Sequence, residues 1–173
     1  MTDIASYAQK LATVKLIIET LAREDVLFLT NNTKYFLKAK QVAEISDYNG
    51  THVGCVAVYK GKVIGIGCNT EKTHPSQKYY NRFRESKDDV FINHKLHAEI
   101  NCLNQLKHTE INYSKIKLYI YRIRKDRQFG MSRPCPSCMA AIKDMGIRTI
   151  YYTTDDGYAC EKIIPSCHLK AVS

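Results

Sequence analysis

Hydrophobic positions along this chain recur at two periods, and their changes mark out the elements. Through residues 3–24, Ile4, Tyr7, Leu11, Val14, Ile18 and Leu21 recur at spacings of three and four with polar residues between them, which predicts an amphipathic helix. So short a stripe does not require a coiled coil. It is expected to pack on the protein's own core, with a subunit contact as the alternative. After a break at Asn31-Asn32, a second helix is predicted from about Lys34 to Ile45, apolar at Phe36, Leu37, Val42 and Ile45. Asp47-Tyr48-Asn49-Gly50 is a turn sequence. The period then shortens: His52 to Tyr59 and Lys62 to Cys68 are β-rich runs joined by Lys60-Gly61, a hairpin signal.

Residues 70–93 are polar and basic with little periodicity, so they read as a long, functional loop with a short helix near 76–84. A helix beginning at His97 carries Ile100, Leu103 and Leu106 toward the core. Ile116 to Ile123 is almost continuously apolar or aromatic, as a strand covered on both faces should be. Cys135 opens the next helix, with Pro136 suited to its first position and Gly146 to the residue past its end. Ile147 to Tyr152 is a further strand, and strand–helix–strand implies a parallel crossover. Thr154-Asp155-Asp156-Gly157 then turns into a short final segment, for which a helix is one reading.

The 173 residues, 45% hydrophobic and 25% charged, are ordinary for a soluble globular protein. We expect one domain over 34–173 preceded by a helical extension over 1–33. The longest apolar run, Leu11 to Leu21, is broken by Lys15 and Glu19, and the N-terminus shows no basic-then-apolar leader, so a cytoplasmic location is expected. Seven cysteines are present. Cys55, Cys68 and Cys102 are expected as buried free thiols, whereas Cys160, Cys167 and His168 leave open a second metal or a free thiol pair. The formal charge of +9 suits phosphate-bearing partners, nucleotide or nucleic acid alike.

Against this background two short stretches carry chemistry: His97-Ala98-Glu99 and Pro134-Cys135-Pro136-Ser137-Cys138. One imidazole and two thiols are three zinc ligands, and a site with three protein ligands leaves the fourth position of the tetrahedron to water. Bound zinc brings that water's pKa toward neutrality. Glu99, two residues from His97, is placed to move the water's proton rather than to bind metal. Each half alone is a weak signal, since CxxC also serves redox sites and structural zinc. The conjunction, H-x-E followed by P-C-x-x-C, is the signature of the zinc nucleobase deaminases.

The chain resembles the cytidine and deoxycytidylate deaminase superfamily, and within it the deoxycytidylate branch often encoded by phages. The resemblance runs from about Phe36 to Gly157. Besides the two motifs it rests on Val53-Gly54-Cys55-Val56-Ala57-Val58, Gly65-Ile66-Gly67-Cys68-Asn69, Ser132-Arg133 and Gly146-Ile147-Arg148-Thr149-Ile150-Tyr151-Tyr152. Cys55 stands where the family usually has Ala, and the first thirty or so residues have no recognised counterpart. The resemblance implies a three-layer α/β/α fold around a mixed sheet of about five strands. It also implies one catalytic Zn2+ held by His97, Cys135 and Cys138, with water as fourth ligand and Glu99 as the acid–base group. Asn69 would hold a sugar hydroxyl, the Ala98 backbone the base carbonyl, and the protein would form a dimer or hexamer.

Deoxycytidylate is the leading substrate, its phosphate met by Lys72, His74, Lys78, Arg82 and Arg84 of the 70–93 loop, and His74 is also a candidate to reach the active site. A polynucleotide deaminase is the alternative, using Arg122, Arg124, Lys125, Arg127 and Arg133 with Tyr119 and Tyr121, or Tyr79 and Tyr80, as stacking partners. Free nucleoside, adenine in transfer RNA, and an inactive zinc protein that binds nucleic acid complete the alternatives.

Overall fold

A computed structural model describes residues 13, 15, 19, 31–84, 94–124, 126 and 130–164. The chain divides into two units, Met1–Lys34 and Tyr35–Ser173. Residues 13, 15 and 19 are helical; the apolar stripe expected over 3–24 lies outside the described residues, as do Cys167 and His168.

Helix α1 covers 31–44. Strands β1 (His52–Tyr59) and β2 (Lys62–Cys68) follow as an antiparallel hairpin. Lys60 and Gly61 both adopt positive φ, 47° and 78°, which is the pair of left-handed residues a two-residue hairpin turn demands. The 70–93 stretch contains a short helix, α2 (Pro75–Tyr80), continued by a 3-10 turn at Asn81–Phe83. Helix α3 (Ala98–Leu106), strand β3 (Lys117–Ile123), helix α4 (Pro136–Asp144) and strand β4 (Thr149–Thr153) then alternate. Gly146, at φ 80°, takes the left-handed conformation just past α4.

The final segment corrects the helical reading. Tyr158–Lys162 is a strand, β5, antiparallel to β4 with Tyr151 opposite Cys160. Tyr158-Ala159-Cys160-Glu161-Lys162 is too short to show a period of its own, and the open edge of β4 supplied the hydrogen-bonding partner. The sheet order is β2-β1-β3-β4-β5, with only the β3/β4 pair parallel, so the expected mixed five-stranded sheet is present.

Alternation along the strands divides the core. Cys55 and Ala57 of β1, Leu118 and Ile120 of β3 and Ile150 of β4 share one buried cluster with Ile100, Leu103 and Leu106 of α3 and Ile142 of α4. The residues between them meet α1: Phe36 packs edge-on to Tyr119 at 5.5 Å, and Tyr119 stacks on Tyr151 at 4.6 Å. Two glycines let backbones touch. A Cβ on Gly54 would lie 2.1 Å from the Ala39 carbonyl oxygen of α1, and one on Gly67 would lie 2.4 Å from the Cys102 nitrogen of α3. The α3 start is thereby pressed against the end of β2, and His97 and Asn69 both line one pocket.

Candidate metal centre and pocket

His97 and Cys135 are the residues that enter α3 and α4, each in extended conformation at the N-cap, and Cys138 lies in the first turn of α4. Helix starts project unpaired backbone N–H groups and the positive end of the helix dipole, which favour thiolate over thiol. The sequence places the ligands there because Pro136 cannot continue an upstream helix but suits a first turn.

The three ligand atoms converge. Nδ1 of His97 lies 3.6 Å from Sγ of Cys135 and 3.4 Å from Sγ of Cys138, and all three lie within 4.8 Å of one another. Tetrahedral zinc with a nitrogen at about 2.05 Å and a sulfur at about 2.3 Å would hold those two atoms about 3.6 Å apart. The donor set and its spacing fit zinc. Cys138 is buried, while His97 and Cys135 are half-buried and line the pocket, the geometry of a site with an open side.

Electrostatics within the cluster are uneven. The Cys138 thiol donates to the Cys135 sulfur, and the His97 ring adds a second contact, so Cys135 is pulled down to about 3 despite its burial. Burial and the neighbouring Cys135 push Cys138 well above the ordinary thiol range. For His97 burial opposes the imidazolium, but the Cys135 hydrogen bond and the Glu99 carboxylate outweigh it and the pKa rises. Glu99 is 6% exposed, and its burial raises its pKa against the pull of His97. A carboxyl group whose proton affinity is raised, on the wall of the same pocket, is equipped to carry a proton.

The pocket has a volume of about 430 Å3. Asn69 and Ala98 both line it. Asn69 Oδ1 accepts from Val53 N at 2.8 Å and from Ser46 Oγ at 2.9 Å, and its Nδ2 donates to Thr51 O at 2.8 Å, so the side chain ties the 46–53 connection to β2. His74 is not among the lining residues. Its Nδ1 accepts from Ser76 N at 3.1 Å and caps α2, and it lies 3.3 Å from Asn104 Nδ2.

Basic side chains divide differently from the sequence clusters. Of Lys72, His74, Lys78, Arg82 and Arg84, only Arg84 lines the pocket, together with Lys95, Arg122 and Arg133. Lys95 is paired with Glu71 at 2.9 Å and Arg133 with Glu161 at 2.7 Å. Arg124 turns to Asp126 and Asp155, while Lys125 and Arg127 lie outside the described residues. Arg122 has no carboxylate partner among the described residues. It donates to Met131 O at 3.2 Å and Thr51 Oγ1 at 3.3 Å, and its Nε is buried with no partner. Tyr119 and Tyr121, expected as stacking partners for bases, are instead buried. Tyr79 is exposed, its face covered by the Arg82 guanidinium at 3.7 Å.

The pocket residues the sequence did not reveal are Tyr48, Thr51, Lys95, Leu96 and Met131, which belong to no motif and lie outside the named helices and strands. Arg122 was visible as a base, but on a β-strand its face could be known only from the β1–β3 register, where it lies opposite Val53.

None of the curated proteins matches the chain in sequence. Among solved structures, the dCMP deaminase of cyanophage S-TIM5 in complex with dCMP and dUMP aligns at 22% identity and a TM-score of 0.50 over 70% of this chain and 79% of that one. Its apo form aligns at 20% identity and a TM-score of 0.49 over 70% and 80%. Cytidine deaminase from Burkholderia pseudomallei aligns at 18% identity and a TM-score of 0.48 over 72% and 87%. At 22% identity the likeness to the dCMP and dUMP complex is one of fold. The family itself is shown by sequence: the cytidine and deoxycytidylate deaminase zinc-binding region matches residues 29–154, which include His97, Glu99, Cys135 and Cys138. The chain belongs to the cytidine and deoxycytidylate deaminase family.

Proposed function

We propose that the protein hydrolyses deoxycytidylate to deoxyuridylate and ammonia. The observation that carries the substrate choice is Arg122, a pocket-lining guanidinium with no carboxylate partner among the described residues and with a buried, unpartnered Nε. Buried polar groups are nearly always paired, so such an atom points to an anionic oxygen as its partner. Arg84 on the same wall is likewise free of carboxylates among the described residues. A nucleotide monophosphate supplies the anion.

Zinc held by His97, Cys135 and Cys138 would supply a Lewis acid that acidifies water at neutral pH. Glu99 would accept a proton from the attacking water and deliver it to N3 of the cytosine as the water oxygen bonds to C4. It would then pass the remaining proton of that C4 hydroxyl to the 4-amino group, the C4–N bond breaks, the C4 carbonyl forms, and ammonia leaves. The Ala98 N–H, in the first turn of α3, has no intrahelical partner by position, which supports its role as donor to the base carbonyl. Asn69 retains one Nδ2 hydrogen beyond its bond to Thr51, available to a sugar hydroxyl. In this reading the 34–173 domain carries the activity, and a homo-oligomer follows from the family resemblance. None of the described helices is long and apolar enough to cross a membrane.

Ammonia release by the zinc-loaded protein tests the proposal, with deoxycytidylate, deoxycytidine and a cytosine-containing DNA single strand at matched base concentration. Preference for the monophosphate is expected. Preference for the strand would transfer the function to polynucleotide deamination and make Arg82 with Tyr79 the next residues to vary.

A further inference from the structure

Two buried carboxamides connect the halves of the metal centre. Gln77 of α2 and Asn81 of the following 3-10 turn are 0% and 2% exposed, in a stretch whose composition is polar and basic. Gln77 Oε1 accepts from the backbone N–H of His97 at 3.0 Å. Its Nε2 donates to Asn81 Oδ1 at 2.8 Å. The same Asn81 oxygen accepts from the hydroxyl of Ser137 at 3.2 Å, and Ser137, fully buried, stands between the two cysteine ligands. Asn81 Nδ2 donates to His94 Nδ1 at 2.9 Å.

The direction of each bond is determined. A backbone N–H can only donate, so Gln77 must turn its oxygen to His97 and its nitrogen to Asn81. Asn81 must then present its oxygen to both Gln77 and Ser137. The result is a continuous path, His97 N–H to Gln77 to Asn81 to Ser137, from the entrance of α3 to the first turn of α4. Each link lies in the interior, where a broken bond leaves a polar group unpaired and is correspondingly disfavoured.

We infer that Gln77 and Asn81 are positioning residues: they set the distance between His97 and the Cys135/Cys138 pair and thereby the zinc affinity of the site. The path touches no reacting atom. It acts on the ligand-bearing backbones, as partners of metal ligands generally do. The inference rests on the zinc reading but is independent of which cytosine compound is the substrate.

The test uses the full chain with Gln77→Met, which keeps side-chain length and removes both bonds, and Ser137→Ala, which removes one hydroxyl. Zinc affinity is measured by competition with a chromophoric chelator, and the visible absorption of the cobalt-loaded protein reports ligand geometry. Gln77→Met should weaken zinc by about 10–100-fold and alter the cobalt bands. Ser137→Ala should weaken zinc less, and the double variant should lose less than the product of the two because both act through Asn81. If Gln77→Met does not fold, the affinity of Ser137→Ala decides in the same way. Unchanged affinity and cobalt spectrum, with only a lowered melting temperature, would show an ordinary core contact and overturn the inference. A wild-type protein that bound no zinc would overturn the metal reading itself.

Discussion

Replacing Arg122 with Met removes the guanidinium while keeping an apolar stem of similar reach. In the folded protein the substitution loses two long hydrogen bonds, to Met131 O at 3.2 Å and Thr51 Oγ1 at 3.3 Å. These contribute about 0.5–1.5 kcal/mol each. It also removes a buried Nε without a partner. That group costs the fold about 1–3 kcal/mol in lost hydration. The two effects offset, so the melting temperature should change little. Substrate binding has no such compensation. A charge-assisted bond to phosphate is worth about 1.5–3 kcal/mol, which corresponds to a loss of about 10–100-fold in kcat/KM for deoxycytidylate. Deoxycytidine offers no phosphate, and its kcat/KM should stay near the wild-type value. Steady-state ammonia release with both substrates, beside a thermal melt, reads the ratio directly. An equal fall for nucleotide and nucleoside would mean that Arg122 supports the pocket wall and that the phosphate lies elsewhere. No fall for the nucleotide would remove the argument for a monophosphate substrate.

Glu99→Gln keeps the size of the side chain but cannot shuttle protons; zinc content by elemental analysis should remain at the wild-type level while turnover falls by at least about 100-fold. Gly67→Ala should destabilise the fold by about 1–3 kcal/mol or more, seen as a lower melting temperature, because the added methyl would lie 2.4 Å from the backbone nitrogen of Cys102. Wild-type stability in that variant would refute the close α3–β2 packing. Glu161 is held below the ordinary carboxylate range by its two bonds to Arg133, at 2.7 and 2.9 Å. Its contribution is therefore complete above the unfolded value, near pH 4.5, and is lost as pH falls through the lower folded one. Since Arg133 is half exposed, the effect is about 0.5 kcal/mol, and Glu161→Gln should cost that much at pH 7 and progressively less as the pH falls below 4.5, by denaturant titration.

The candidate reactive set was legible without coordinates because it is local. Cys135 and Cys138 share a helical turn, His97 and Glu99 share another, and Pro136 and Gly146 punctuate the helix between β3 and β4. Hydrophobic period separated most strands from helices for the same reason: side-chain direction repeats every two residues in one and every 3.6 in the other. Three things depended on tertiary structure. Tyr158–Lys162 became a strand because β4 offered an unpaired edge, and no property of those five residues alone requires it. Tyr119 and Tyr121 became core while Arg122, the next residue along β3 and on the opposite face, reached the pocket, a choice made by strand register and the helix packed above, since a one-residue slip would exchange the faces. Gln77 and Asn81 fall in the short helix expected within a polar, basic stretch, yet they are buried, because His97 and Ser137, forty residues apart in sequence, satisfy amides that would otherwise have to face water. Chemistry carried by residues a helical turn apart is written along the chain; the faces, edges and buried polar partners that place it are products of distant segments meeting.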